Sequence, residues 1–118
     1  MKVNIKATGI ELTGAITAYL TDKLNSLDKI LTRFGDVYAD AEVSKTTSHH
    51  HKGEVYRAEI NLRTSSGLFR AESTSSDLYA AIDLVKDELS EKLKSTKDRS
   101  DSLYIRGSRL VKRLLRRN

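Results

Sequence analysis

Lys86, Ser90, Lys94 and Lys97 follow one another at spacings of three and four. On a helix that spacing sets three ammonium groups in one lane. Beside it runs a second lane, Asp83, Asp87 and Glu91, with a carboxylate every four residues. Carboxylates four apart repel by about 0.2–0.5 kcal/mol per pair, so the sorting forgoes the pairing that mixed charges would give. A row of ammonium groups suits phosphate binding, in which point charges follow a polyanionic backbone without reading bases. The acidic lane would then face solvent or a basic protein surface. The plainer reading is a solvated helix with incidental lanes.

Further cations have the same double reading. Lys23, Lys29 and Arg33 lie on an earlier amphipathic segment, and Lys29 and Arg33, four apart, share a face. They suit phosphates or the negative end of a helix dipole. Residues 99–118 carry Arg99, Arg106, Arg109, Lys112, Arg113, Arg116 and Arg117 against Asp101 alone, a sum of +6. Residues 1–98 hold 14 Lys+Arg and 15 Asp+Glu, a sum of −1, so the net +5 belongs to the tail. There Leu110, Val111, Leu114 and Leu115 alternate with the cations at helical spacing. A helix so short is not stable alone in water, so the tail is expected to order on a partner. An RNA cleft, a protein groove or an anionic membrane would each serve.

Other chemistries find little support. His49-His50-His51 has no adjacent Cys, Asp or Glu and points its rings in different directions, so no metal site is expected there; a loop tip near solvent or RNA is. The chain has no cysteine, hence no disulfide and no cysteine-ligated zinc. No G-x-S-x-G elbow, phosphate-cradling G-x-x-x-x-G-K-[ST] or H-E-x-x-H occurs. No catalytic residue and no cofactor are expected. Arg57, Arg63 and Arg70 mixed with Glu42, Glu59 and Glu72 read as cross-strand ion pairs. No apolar run approaches the roughly 20 residues of a membrane span, and nothing at the start resembles a signal peptide. A soluble cytoplasmic protein is the expectation.

The elements that must hold these residues follow from the periodicity. Val3, Ile5 and Ala7 alternate with Lys2, Asn4 and Lys6, a half-buried strand. Thr13 suits a helix N-cap, and Ile16, Leu20, Leu24, Leu27, Leu31 and Phe34 then mark one helix face, closed by Gly35 as a left-handed cap. Period-two alternation returns over Val37–Ser44, over Tyr56–Arg63 and over Leu68–Ser73, with residues 64–67 as a hairpin turn. Ser75 or Ser76 is the expected cap of a last helix, with Asp77 in its first turn and Leu78, Ile82, Val85, Leu89 and Leu93 inward. The order predicts an α/β two-layer sandwich, β-α-β-β-β-α, with both helices on one face of a four-stranded sheet. The first two strands would pair in parallel through a right-handed crossover and the later ones antiparallel. Residues 1–98 form the domain and residues 99–118 a basic tail.

Arg70-Ala71-Glu72, a Ser-rich turn, and Asp77-Leu78-Tyr79-Ala80-Ala81-Ile82-Asp83, set in this element order, resemble the ribosome hibernation factors, namely the short hibernation-promoting factor and the ribosome-associated inhibitor A. The resemblance covers about residues 1–98. It implies a non-enzymatic protein that binds the small ribosomal subunit at the decoding region. There it would occupy the mRNA and tRNA sites and hold the ribosome inactive under stress or in stationary phase. Its partners would be that subunit and its rRNA, with ribosomal proteins nearby, and neither a small-molecule substrate nor a membrane. Long members carry a further dimerisation domain, and the chain length matches the short class. Lys23, Lys29, Arg33, Lys86, Lys94, Lys97, Arg109, Lys112, Arg113, Arg116 and Arg117 are then the expected rRNA-binding residues. The chain departs from the pattern at Glu88, Glu91 and Ser95, often basic in the family, and in its tail, which suggests that phosphate binding has shifted toward the tail. The other readings are a general double-stranded RNA-binding module, or a peripheral membrane or protein-interaction adaptor acting through the tail.

Overall fold

A computed structural model describes the backbone of residues 1–47 and 53–116, and side-chain surroundings for 1–46 and 53–97. His49, His50, His51 and Lys52 lie outside the described residues, as does Arg117. The elements are β1 (Lys2–Thr8), α1 (Gly14–Asn25), α2 (Asp28–Leu31), a 3-10 turn (Thr32–Phe34), β2 (Tyr38–Thr47), β3 (Glu54–Thr64), β4 (Gly67–Ser75) and α3 (Leu78–Arg116). The sheet order is β1-β2-β3-β4. β1 runs parallel to β2, with Ile5 opposite Ala41, and the two later pairings are antiparallel. This is the expected α/β two-layer topology.

The alternation of the strands decides which face is covered. Ala39, Ala41, Val43, Ala58, Ile60, Leu62 and Ala71 are buried under the helices. They meet Ile16, Leu20, Leu24, Leu27, Leu31 and Phe34 from the first helical segment and Leu78, Ile82, Val85, Leu89 and Leu93 from α3. Small residues on β2 let the helices approach the sheet, and the leucines fill the space between layers. Phe34 and Phe69 close one end in an edge-to-face contact at 5.4 Å. β1 is more exposed than an inner strand: Val3 stays 39% accessible because no second neighbour and no helix cover that end.

Four local expectations change. The first helix is not continuous. Leu27 N–H bonds back to Leu24 O in a 3-10 step, and the Ser26 hydroxyl donates to Lys23 O at 2.5 Å. Side-chain competition of this kind tightens the turn and redirects the chain. Gly35 has the expected positive φ of 71° but ψ of −144°, outside the left-handed helical region. Its hydrogen lies where a Cβ would stand 2.9 Å from Ser65 Oγ, and Ser65 N–H and hydroxyl both donate to Phe34 O. The cap of α3 is Asp77, not a serine: its carboxylate accepts the Ala80 N–H at 3.2 Å. Finally, α3 runs 39 residues, about 58 Å at 1.5 Å per residue, straight through the basic segment. The tail therefore needs no helix nucleus of its own, because α3 already supplies one anchored on the core.

Candidate nucleic-acid interface

The break at Ser26 places the first half of the interface. Leu27, Leu31 and Phe34 turn into the core, so Lys29 and Arg33 stand on the outer side of α2 and the 3-10 turn. On α3, Val85, Leu89 and Leu93 face inward, and Lys86, Ser90, Lys94 and Lys97 form the adjacent lane. The two sets line one groove of about 730 Å³, together with Ser26, Leu27, Ile30 and Thr32. Five cations border it, and among the described residues no carboxylate does. Lys86 also lies 3.7 Å from Asp87. The hydroxyls of Ser26 and Thr32 are directed at backbone carbonyls of their own turns.

Lys23 is placed apart from this groove. Its ammonium pairs with Asp83 at 3.3 Å and stands 5.2 Å from the centre of the Tyr19 ring. The Tyr19 hydroxyl donates to the same carboxylate at 2.6 Å, and Tyr19 meets Tyr79 edge-on at 4.9 Å. The hydrogen bond from Tyr19 holds the Asp83 carboxyl below its usual range, and Lys23 adds to it. The hydrogen bond to Asp83 raises the Tyr19 phenol and the Lys23 ammonium in turn. Asp83 thus leaves the acidic lane to tie α1 to α3, while Asp87 and Glu91 stay exposed. The sequence marked Asp83 by its periodicity alone. Tyr19 and Lys23, four apart on α1, were the available sign of this contact.

On the open face of the sheet, Arg57, Arg70, Glu59 and Glu72 form one ion-pair cluster, whereas Arg63 stands 5.6 Å from the centre of the Tyr38 ring. Arg57 pairs with Glu59 at 2.8 Å and with Glu72, and Arg70 pairs with Glu59 at 3.1 Å and Glu72 at 3.4 Å. The hydrogen bond to Arg57 holds the Glu72 carboxyl low; for Glu59 the first cause is the hydrogen bond from Asn61. A second groove, near Met1, Lys2 and Tyr38, includes Asp28 and Asp36, which disfavour phosphate. Arg109, Lys112, Arg113 and Arg116 lie on the C-terminal part of α3, beyond the side chains described. Among the described residues no group of three or more His, Cys, Asp or Glu could hold a metal ion, and no helix is long and apolar enough to cross a membrane.

A mixed four-stranded sheet roofed on one face by helices, with a groove between them bordered by five cations, makes a two-layer α/β domain. Residues 3–101 match the family model described as sigma 54 modulation protein / S30EA ribosomal protein, and the chain belongs to that family. It is 31% identical over 99 residues to the ribosome hibernation promoting factor of Klebsiella oxytoca, covering 84% of this chain and 96% of that one. It is 33% identical over 99 residues to the ribosome hibernation promotion factor of Lactococcus lactis subsp. cremoris, and spans about half (51%) of that relative's length. The crystal structure of the Thermus thermophilus Protein Y N-terminal domain superposes with a TM-score of 0.67 at 32% identity, over 81% of this chain and 99% of that one. A ribosomal subunit interface protein from Coxiella burnetii shares the fold at 15% identity, with a TM-score of 0.65.

Proposed function

We propose that this chain is a ribosome hibernation factor of the cytoplasm. It binds the small ribosomal subunit at the decoding region and lowers translation by occupying the space that mRNA and tRNA need. The groove bordered by Lys29, Arg33, Lys86, Lys94 and Lys97 carries the reading: five cations gathered along one groove suit a run of rRNA phosphates. Arg109, Lys112, Arg113, Arg116 and Arg117 extend the contact along α3 and past its end. Lys23 contributes through its position beside Asp83 and gives less to phosphate than the groove residues. The family is one of ribosome-associated factors, not of enzymes, and occupancy requires shape and charge but no reacting group. Hypothesis and test go together. The purified protein should co-sediment with small subunits, protect rRNA nucleotides of the decoding region from chemical probing, and reduce translation in vitro. Equal binding to any duplex RNA would replace this reading with a general double-stranded RNA binder. Pelleting only with anionic vesicles would replace it with a membrane adaptor.

A further inference from the structure

β4 is an edge strand that pairs only with β3. Ser65 and Ser66 form a two-residue turn, so Thr64 and Gly67 are its first hydrogen-bonded pair. Counting on by twos, Phe69, Ala71, Ser73 and Ser75 direct their peptide groups at β3. Leu68, Arg70, Glu72 and Thr74 direct theirs away from the sheet. An independent contact agrees: Arg70 O accepts from Lys92 Nζ at 2.6 Å, so that carbonyl stands outside the ladder. Edge strands that remain single usually carry lysines. The other edge, β1, has Lys2 and Lys6, whereas β4 has no lysine; its charges are one Arg and one Glu.

We propose that β4 pairs with β4 of a second copy, antiparallel about a two-fold axis at Ala71. A single register uses all four outward residues of both strands. It sets Leu68 opposite Thr74 and Arg70 opposite Glu72 of the second copy, each pair occurring twice. That register comes from backbone geometry alone, yet it places unlike charges face to face at both central positions. Both side chains are exposed, Arg70 56% and Glu72 54%, and would share charge across the seam with their present partners Glu59 and Arg57. Pairing requires Lys92 to release Arg70 O, and Glu88, 3.3 Å from the ammonium, is there to receive it. The cationic groove lies on the other flank of α3, beside α2, so it stays open in the dimer.

Sedimentation equilibrium of the full chain, without ribosomes, tests this from about 10 µM to about 1 mM, where a small polar interface is expected to associate. The wild type should dimerise reversibly. Arg70→Glu or Glu72→Arg alone turns two opposite-charge pairs into like-charge pairs and should weaken the dimer about tenfold. The double exchange should restore it in part, because it also sets the exchanged charges beside Glu59 and Arg57 of the same sheet. Thr74→Pro removes an outward N–H that β3 does not use, and should give a monomer with an unchanged circular dichroism spectrum. In the wild type the amides of Leu68, Arg70, Glu72 and Thr74 should exchange more slowly as concentration rises, a readout that needs no variant. A chain that stays monomeric throughout overturns the proposal. So does a dimer indifferent to both reversals and to the proline.

Discussion

Reversing Lys86, Lys94 and Lys97 to glutamate probes the groove where its charge is densest. The three contribute most of one wall, facing Lys29 and Arg33. Each phosphate contact adds about 0.7 (single strand) to 0.9 (duplex) to the slope of log affinity against log salt. Loss of three contacts should therefore flatten that slope by roughly 2–3. None of the three contributes to the core, and substitutions at such sites stay within about 0.5 kcal/mol of neutral, so the melting temperature should barely move. The assay is co-sedimentation with small subunits at several salt concentrations, with thermal melting alongside. The matching control is Asp87→Asn with Glu91→Gln, which removes acidic-lane charge and, of the groove residues, affects only the Lys86–Asp87 contact at 3.7 Å. Asp83 is left out because its carboxylate receives Tyr19 and Lys23. Equal, small losses from the triple reversal and the control would refute the reasoning and leave the lanes as incidental charge sorting.

Truncation after Arg99 keeps every buried residue of α3 among those described, the last being Leu93, so melting should change little; if about four tail cations meet phosphates, the salt slope should fall by roughly 3, and an unchanged slope would take the tail out of the RNA interface. The Asp83 tie has a defined pH dependence. With a folded-state pKa lowered by Tyr19 and Lys23, its contribution is full above the unfolded value near 3.9 and fades as pH falls through the folded one. Asp83→Asn should thus lower Tm at neutral pH, and its difference from wild type should shrink as pH falls below the unfolded value and through the lowered folded one; a difference constant with pH would contradict the tie. Gly9 has φ of 75°, and a Cβ there would stand 2.8 Å from Lys45 O. Gly9→Ala should cost about 1–3 kcal/mol of unfolding free energy, measured by urea denaturation, and a neutral result would show that the β1–α1 loop can shift.

Period and punctuation carried most of the fold. Alternation in Val37–Val43 and Tyr56–Leu62 placed the inner strands, and the Ile16–Phe34 and Leu78–Leu93 stripes placed the roof. The break at Ser26 was not legible, because Leu20 and Leu24 before it and Leu27 and Leu31 after it keep the helical spacing; the competing hydroxyl bond is a local choice among allowed conformations. The cap of α3 was placed one or two residues early, at Ser75 or Ser76, with Asp77 read into the first turn, because serine and aspartate suit an N-cap alike. For the interface, the Lys86–Lys97 lane and the Lys29–Arg33 pair were readable, but not that they border the same groove. That juxtaposition depends on the angle between two helices, which no local pattern encodes. The diversion of Asp83 and Lys23 into an inter-helix tie was invisible for the same reason.

The parallel pairing of β1 with β2 has a kinetic consequence. Lys2 lies opposite Tyr38, and the chain between them must be looped before that contact forms, whereas β2, β3, β4 and α3 follow one another through short connections. Contacts that close long loops form late. The meander and α3 therefore assemble first, presenting Lys86, Lys94 and Lys97 on a half-built surface. Lys29 and Arg33 come into place when the β1–α1–α2 arm folds back. The groove is completed by the slowest step, so in refolding of the full chain its two sets of cations come together last.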